Sequence, residues 1–428
     1  MKIIKAFVAS ALTALLFAVA AQGAEYTDTL KIGLYYASSA PTSVTLWSNS
    51  VMHVSDYITK APIAEIPAET TLTLARVGSI MAAAGYFETA SVSVYVSSET
   101  PIALNGAAYR GDMLFNLAEA GMTVINVVNT EDYLQSVLGR EMSPSWDAEA
   151  LKAQAVCSRN YAVCNLDKHK SYGFDLCATT DCQVYSGVAS ESESTIAAVK
   201  ATAGVVATYD GEIVPLYFFA TDGGATEDVK NVWGSEAGYL KSVIDPYEDP
   251  AVATRYSWQT TISATTLTER LKARGIDIGT ITDVRVDERS ESGRVTALTF
   301  VGTNGEQTVL RERTRTTLGS DVCYSQNFTI TKSVGAASLV STSGEVVASP
   351  FVLSSGGVAS LCASYIIGAN GTLSNLTQGS ADEFSLTGKG WGHGVGMSQY
   401  GALGMAKAGF GYEDILKFFF TGLELQSL

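Results

Sequence analysis

One stretch near the carboxyl terminus, GKGWGHGVGMSQYGA at 388–402, limits most strongly what this chain can fold into. Six of its fifteen residues are glycines, which lose more backbone freedom on ordering than any other residue and so make a poor helix or strand. The stretch lacks the G-x-x-x-x-G-K-S/T pattern of phosphate-binding loops. His393, within it, is either a ligand-contacting residue or a buried turn histidine. The pattern predicts a loop that brings backbone amides close to a ligand.

The composition is that of a globular acidic protein. Its 428 residues are enough for two or three domains, and 46% hydrophobic with 17% charged residues excludes a disordered chain. The 28 basic and 43 acidic residues leave a net charge of −15. This charge argues against nucleic acid as a partner, because phosphate contacts need a basic surface. Any polymeric substrate is therefore expected to be held by shape and hydrogen bonds.

The amino terminus is typical of a secretory signal peptide. A basic region, 1–5, precedes an apolar segment, 6–21, which ends in small residues and is short for a membrane span. We expect residues 1–24 to be cleaved, leaving a secreted, extracytoplasmic protein with no stable membrane span. An uncleaved segment would instead anchor the protein to the membrane.

The rest of the chain divides into four regions by its residue patterns. Residues 25–125 are β-rich, and 126–332 mix strands and helices in a core. Residues 333–382, rich in Ser and Gly, are an insertion of extra β structure or a semi-ordered segment. Residues 383–428 complete the core with the glycine-rich stretch and a short helix. The chain is therefore predicted to have an α+β fold.

A helical hairpin is predicted at the start of the core. The strand-like run 125–129 leads into a helix that begins near Thr130, a plausible N-cap. A second helix follows Pro144, with Asp147 as its N-cap. The short connection between them places Glu141 at the corner of the hairpin.

Glu141 is a candidate proton donor. Met142 and Trp146 lie close to it in sequence, and a carboxyl beside apolar surface has its charged form desolvated, which raises its pKa. The alternative is an ordinary surface glutamate, or one paired with the neighbouring Arg140.

Two cysteines form a candidate metal site. Cys177 and Cys182, with His169 eight residues before the first, offer three zinc ligands but no obvious fourth. A disulfide between the two cysteines is equally plausible in an exported protein, and a pair of free thiols is the third alternative.

Two other cysteines, Cys157 and Cys164, should not form a disulfide. In a helix their Cα atoms would lie ~10.5 Å apart, beyond the span of a disulfide. Cys157 is expected to be an inert core thiol, which disfavours a cysteine hydrolase with His393 as its base.

Three segments together carry a family resemblance: EDYLQSVLGREMSPSWDAEALKAQAVCSRNYA, DLCATTDCQVYSG and GKGWGHGVGMSQYGALGMAKAGFGYEDIL. They closely resemble the family of the stage II sporulation protein D and the amidase-enhancer proteins, in the same order, over about residues 30–422. The resemblance implies a lytic transglycosylase that cleaves the MurNAc-β-1,4-GlcNAc bonds of peptide-stripped peptidoglycan strands and leaves 1,6-anhydro-MurNAc ends. The catalytic glutamate of the family's E-M-P-x-x-W segment falls on Glu141, although Ser143 replaces the proline and Pro144 follows it.

The resemblance also implies the other parts of the site. No cofactor is needed for the chemistry, but a structural zinc is expected at Cys177 and Cys182, with His169 the third ligand. Asp181 stands where the family often has a histidine. The residues expected to line the substrate groove are Gln154, Arg159, Gln183, Tyr185, Gly223, Gly224, Trp391, His393 and Gln399.

A second hypothesis is a non-catalytic protein that binds glycan and stimulates a cell-wall N-acetylmuramoyl-L-alanine amidase. The intact Glu141 favours the enzyme, because a modulator would not require it. A purely structural wall protein would leave the groove motifs unexplained, and the sequence does not distinguish a sporulation from a vegetative role.

Overall fold

The computed structural model describes residues 26–333 and 383–428, together with Ala24 and four short strands between 351 and 375. The expected signal peptide and most of the 333–382 insertion lie outside the described residues. Helices and many strands are both present, so the predicted α+β class is confirmed. Within the described residues, no helix combines the length and hydrophobicity that crossing a bilayer requires.

The elements are numbered in chain order. The helices are α1 (Thr130–Glu141), α2 (Ala148–Cys164), α3 (Glu193–Ala201), α4 (Val229–Val232), α5 (Ala264–Ala273), α6 (Arg313–Leu318), α7 (Gln399–Lys407) and α8 (Tyr412–Phe419). The strands are β1 (Thr29–Tyr35), β2 (Ser43–Trp47), β3 (Met52–Asp56), β4 (Pro62–Ile66), β5 (Leu72–Val77), β6 (Ile80–Ala83), β7 (Phe87–Thr89), β8 (Ser93–Ser98), β9 (Ile102–Leu104), β10 (Ala107–Tyr109), β11 (Asp112–Leu117), β12 (Met122–Asn129), β13 (Leu176–Cys177), β14 (Val205–Tyr209), β15 (Glu212–Ile213), β16 (Phe218–Phe219), β17 (Ser257–Ser263), β18 (Ile281–Arg289), β19 (Val295–Gly302), β20 (Gly305–Leu310), β21 (Phe328–Ser333), β22 (Phe351–Ser354), β23 (Gly357–Ser360), β24 (Tyr365–Ile367), β25 (Leu373–Asn375), β26 (Glu383–Lys389), β27 (Met397–Ser398) and β28 (Glu424–Ser427).

The amino-terminal strands form two packed sheets. One has the order β13-β1-β12-β11-β8-β3-β4 and the other β10-β9-β2-β5-β6-β7. Alternating side chains such as Val94 and Val96, or Leu72 and Leu74, are buried in one shared hydrophobic core. The edge strand β13 pairs parallel to β1, with Gly33 opposite Cys177, and so attaches the cysteine loop to this sheet.

The helical hairpin forms as the sequence predicts, with one correction. Asp147 caps α2 by accepting a hydrogen bond from the amide of Glu149. The cap of α1, however, is Asn129 rather than Thr130, because the Asn129 side chain accepts from the amide of Glu131. Thr130 is already helical and donates its hydroxyl to the carbonyl of Thr27, 2.6 Å away. The last residue of α1 is Glu141, which places it at the corner.

The hairpin packs with α3, α7 and α8 into a second core that also contains the side chains of Leu30 and Ile32 from β1. A third, separate hydrophobic cluster lies among β17, β26, β21, the β18-β19-β20 sheet, α5 and α6, and includes Trp258 and Phe300. The chain leaves this third unit through β26 and enters the glycine-rich stretch. In the insertion, β22 pairs with β23 and β24 with β25.

Helix α7 begins inside the stretch that glycine content marked as a poor helix, so the expectation of a loop was wrong for its last part. The glycines in this part are required by close packing. A Cβ on Gly404 would overlap the carbonyl oxygen of Tyr247, and one on Gly401 would overlap Oδ2 of Asp245. Glycine lowers the helix propensity of α7, but it allows the helix to approach the neighbouring backbone closely.

This close approach predicts that Gly404→Ala destabilises the protein, by about 1–3 kcal/mol, because the added methyl group overpacks against backbone. Lys407→Ala, an exposed change on the same helix, should stay within about 0.5 kcal/mol of wild type. Urea unfolding of the three proteins measures both. A Gly404→Ala variant that is as stable as wild type, or more stable as helix propensity alone would have it, would contradict the packing argument.

Candidate active site

A cleft of about 360 Å³ lies where the hairpin corner, the cysteine loop and the glycine-rich stretch meet. Its walls come from α1, α2, the loop before Tyr185, the segment at β16, and the glycine-rich stretch. The residues that line it are Arg140, Glu141, Tyr161, Thr180, Cys182, Gln183, Val184, Tyr217, Phe218 and His393. Three segments far apart in sequence thus converge on one cavity.

Glu141 is the only carboxyl group among these cleft-lining residues. Burial is the main influence on it and raises its pKa above the ordinary glutamate value, as expected from its sequence neighbours. A hydrogen bond from Gln399 and the charge of Arg140 act in the opposite direction. Glu141 therefore holds a proton at higher pH than a surface glutamate, which suits a proton donor.

The carboxyl of Glu141 is positioned by a line of amides. Gln399, the first residue of α7, places its Nε2 3.5 Å from Oε2 of Glu141 and 3.3 Å from Oε1 of Gln154. The Gln154 amide in turn donates to Oγ of Ser158, 3.1 Å away. Gln154 is fully buried and Gln399 almost so. Both were expected to face the groove, but the structure uses their amides to orient Glu141 and does not expose them to a ligand.

Gln183 offers the cleft a free donor. Its Oε1 accepts from the hydroxyl of Tyr133, while its buried Nε2 has no partner among the described residues. The placement fits the expected contact with a substrate. Tyr185 differs, because it is buried behind the wall and donates its hydroxyl to Asn126 over 2.7 Å. Tyr185 therefore supports the wall rather than lining the cleft.

His393 lines the cleft as a neutral ring. The backbone amide of Val395 donates to its Nδ1 over 3.0 Å, and the backbone of Phe218 hydrogen-bonds the ring as well. Burial is the main cause of a lowered pKa of about 3. The ring contacts the side chains of Phe219 and Trp233. The ring is therefore hydrogen-bonded to the backbone while it lines the cleft, and the substrate contact expected of it stays a prediction.

Arg159 lies away from the cleft, so its expected role in the groove does not fit the structure. Its guanidinium is fully buried and makes a two-pronged pair with Glu131, with N–O distances of 2.7 and 2.6 Å. It also donates to the carbonyl of Val205. These contacts satisfy the guanidinium inside the protein, and they tie α2 to α1 and β14.

The turn at Gly223 and Gly224 lies directly against the glycine-rich stretch. A Cβ on Gly223 would lie 2.8 Å from the backbone nitrogen of Gly390, and both turn glycines have positive φ. Thr221 pairs with Trp391 through two backbone hydrogen bonds of 3.1 and 2.7 Å. The turn therefore holds the stretch in place, and neither of its glycines is among the cleft-lining residues.

Three buried carboxyl groups lie behind this turn, and the sequence did not predict that they cluster. They are Asp222, Asp245 and Glu248. Glu248 accepts hydrogen bonds from the amide of Gly223, at 2.8 Å, and from the hydroxyl of Ser398. Burial first, and the neighbouring carboxyl groups second, raise the pKa values of Asp222 and Asp245. The loop that carries Asp245 and Glu248 has an ordinary surface composition, so no sequence signal marked the cluster.

The cysteine loop gathers four possible metal ligands. His169, Cys177, Asp181 and Cys182 place one ligand atom each within 4.8 Å of all the others. Nε2 of His169 lies 3.4 Å from Sγ of Cys182 and 3.3 Å from Oδ2 of Asp181. Both cysteines are free thiols in the structure. The structure thus places Asp181 beside the three possible ligands that the sequence indicated.

Cys157 and Cys164 of α2 are free thiols. Cys157 is fully buried, and burial raises its pKa well above that of an ordinary thiol. Its Sγ lies 4.0 Å from Sδ of Met397. The expected inert core thiol is confirmed, and Cys157 and Cys164 are both free, as helix geometry requires.

The raised pKa of Glu141 predicts a pH-dependent cost to stability. Above the pKa of the unfolded state, the unfolded chain loses this proton more readily than the folded protein does, so the free energy of unfolding falls as the pH rises. The fall is complete once the pH passes the higher pKa of the folded state. Glu141→Gln should therefore stabilise the protein at mildly alkaline pH and give no gain in acid. Urea unfolding at both pH values tests this, with the exposed Glu269→Gln as the control. A gain equally large in acid would contradict the explanation.

Comparison with known proteins adds to this geometry. The model of the SpoIID family, described as stage II sporulation protein, matches residues 118–209, which span the hairpin and the cysteine loop. A model for a domain of unknown function, DUF8618, matches 235–345, which includes most of the third hydrophobic unit. The chain is 31% identical over 323 residues to an uncharacterised protein of Brachyspira hyodysenteriae, covering 75% of this chain and 73% of that protein.

Two relatives from Bacillus subtilis have names that describe a role. The chain is 28% identical over 315 residues to the amidase enhancer, covering 69% of this chain and 40% of that longer protein. It is 27% identical over 311 residues to stage II sporulation protein D, covering 69% and 74%. With the shared segments and the extent of these matches, the chain belongs to the SpoIID family, whose members include stage II sporulation protein D and the amidase enhancer.

Proposed function

We propose that this protein is an exported peptidoglycan lytic transglycosylase in which Glu141 serves first as general acid and then as general base. The observation that carries the proposal is a buried carboxyl with a raised pKa, alone among the cleft-lining residues, at the junction of the three family segments. The proposed substrate is a glycan strand without stem peptides, and the product would end in 1,6-anhydro-MurNAc.

A single carboxyl group suits this reaction. Glycosidases that use water generally need two carboxyl groups, one as acid and one as nucleophile or base. In a lytic transglycosylase the C6 hydroxyl of MurNAc attacks its own C1, so the sugar supplies the nucleophile. His393 offers no competing base at neutral pH, because burial lowers its pKa to about 3. The composition of the cleft therefore favours the intramolecular route over hydrolysis.

The surroundings of Glu141 suit both of its proposed steps. Burial favours the protonated form, which donates its proton to the leaving glycosidic oxygen. The resulting carboxylate is then stabilised by the amide of Gln399 and the charge of Arg140 while it accepts the C6 hydroxyl proton. The proton returns to the enzyme, so the cycle closes without a net gain or loss.

A second candidate function is that of an amidase enhancer, since the chain resembles the enhancer of Bacillus subtilis about as closely as it resembles stage II sporulation protein D. In that role the cleft would bind glycan and assist a cell-wall amidase without cleaving the strand. The two functions differ in whether Glu141 is needed for a chemical product.

Digestion of peptide-free glycan strands separates the two functions. Wild-type protein should release products that end in 1,6-anhydro-MurNAc, detected by mass spectrometry, and Glu141→Gln should lower their rate by at least about a hundredfold. Glu269→Gln, an exposed change far along the chain, should cleave like wild type. Reducing-end products would indicate a hydrolase instead. No cleavage by folded wild-type protein, combined with stimulation of an added amidase, would favour the enhancer.

We further propose that the cysteine loop holds a structural zinc ion through His169, Cys177, Asp181 and Cys182. Tetrahedral zinc with these ligand types requires ligand atoms roughly 3.3–3.8 Å apart. Two of the separations, 3.4 and 3.3 Å, lie in this range, and a third, between Cys177 and Asp181, is slightly longer at 3.9 Å. Because Cys182 and its neighbour Gln183 line the cleft, the metal would hold that wall in position.

Metal analysis of the purified protein tests this assignment. About one zinc per chain is expected, and a chelator should remove it and lower the thermal midpoint. Cys182→Ser should abolish zinc binding, because a hydroxyl is a poor replacement for a thiolate ligand. The matched control, Cys164→Ser, should keep full occupancy. A protein that contains no zinc even when folded with the metal present, or a Cys182→Ser variant with full occupancy, would refute the site.

A further inference from the structure

A second feature of the glycine-rich stretch lies beyond the cleft. The guanidinium carbon of Arg255 lies 3.8 Å from the ring centroid of Tyr324 and 4.2 Å from that of Trp391. Both distances are well inside the range of an attractive cation–π contact. Within the described part of the chain, no carboxylate pairs with Arg255. A guanidinium is thus held by two rings while its N–H groups remain without an anionic partner.

The backbone beside both rings is held by hydrogen bonds. Trp391 has 38% of its surface exposed, but its backbone amide and carbonyl are both paired with Thr221. The next residue, Gly392, donates its amide to the carbonyl of Tyr324 over 2.9 Å. Arg255, Trp391 and Tyr324 therefore form a pre-organised surface, and we call these three residues the arginine platform.

The arginine platform is linked to Glu141 through two hydrogen bonds and two pairs of adjacent residues. Gln399 touches Glu141, and the next residue, Tyr400, hydrogen-bonds its hydroxyl to Oγ1 of Thr254 over 2.8 Å. Thr254 immediately precedes Arg255. On the other side, Trp391 is two residues from His393, which lines the cleft, so their Cα atoms are at most about 7 Å apart. A strand of a few sugars that enters the cleft can reach the platform.

The chemistry of the platform points to an anionic sugar. A planar guanidinium matches a carboxylate in a two-pronged pair, and holding it in advance reduces the entropy lost on binding. An exposed indole offers an apolar face to a sugar ring. Of the two sugars in a peptidoglycan strand, GlcNAc is neutral, while MurNAc carries a D-lactyl group whose carboxylate is free only when no stem peptide is attached.

We propose that the arginine platform is an outer subsite that binds a MurNAc residue through its free D-lactyl carboxylate, so that Arg255 selects stretches of strand from which the peptide has been removed. This inference rests on the proposed glycan substrate, but it does not require the protein to cleave the strand. It also gives a chain with a net charge of −15 a local positive group for an acidic polymer, because Arg255 pairs with no carboxylate of the described residues.

The test measures binding by the full chain in the Glu141→Gln background, which is expected not to consume the ligand. The ligands are short peptide-free strands with free lactyl carboxylates and the same strands after carbodiimide coupling to methylamine, which removes the charges. The parent should bind the acid strands roughly tenfold more tightly, as one charge-assisted hydrogen-bonded pair implies. Arg255→Gln should remove this preference, and Arg255→Lys should keep part of it.

The control is Arg285→Gln, which removes an equal charge from the exposed face of β18 and should leave the preference intact. An equal affinity of the parent for both strand types, a failure to bind either, or a preference that survives in Arg255→Gln would overturn the proposal. The outcomes also separate it from the transglycosylase activity. A preference that depends on Arg255 in a protein that releases no anhydro products would support the subsite and refute the enzyme, and products without the preference would do the reverse.

Discussion

The contact between the amide of Gln399 and the carboxyl of Glu141 joins two helix ends that are 258 residues apart in sequence. Glu141 is the last residue of α1 and Gln399 the first of α7, so the contact depends on where each helix stops or starts. Ser398 caps α7 through the amide of Gly401. The same Nε2 of Gln399 also donates to Oε1 of the buried Gln154 of α2. The position of the carboxyl is thus decided by the packing of three helices.

The packing of α7 depends in turn on the glycines and carboxyl groups beneath it. Gly404 allows the helix to approach the backbone at Tyr247, and Glu248 links the Gly223 turn to the cap residue Ser398. Keeping Asp222 and Asp245 buried costs stability, since burial and mutual repulsion raise their pKa values. These groups lie at the turn that contacts the glycine-rich stretch.

The amino-terminal sheets contribute to the site through the cysteine loop. Strand β13 pairs parallel to β1, which brings Cys177 to the edge of the seven-stranded sheet. From there the loop crosses to the cleft, where Thr180 and Gln183 form part of a wall. A metal ion at the proposed ligands would stiffen the segment between these two anchors. The two amino-terminal sheets therefore support one wall of the cleft.

The sequence by itself determined the local features: the helical hairpin, the Asp147 cap and the position of Glu141 at the corner. These follow from periodicity, capping and immediate neighbours, which act over a few residues. Only the tertiary structure decided the rest. It buried the Glu141 carboxyl, which raises its pKa, and it paired Arg159 with Glu131 instead of the groove. It also brought Asp181 close to the other three candidate ligands and let α7 form despite its glycines. The α7 packing and the ion pair join residues far apart in the chain, and the ligand cluster depends on how its loop folds, which spacing and composition do not encode.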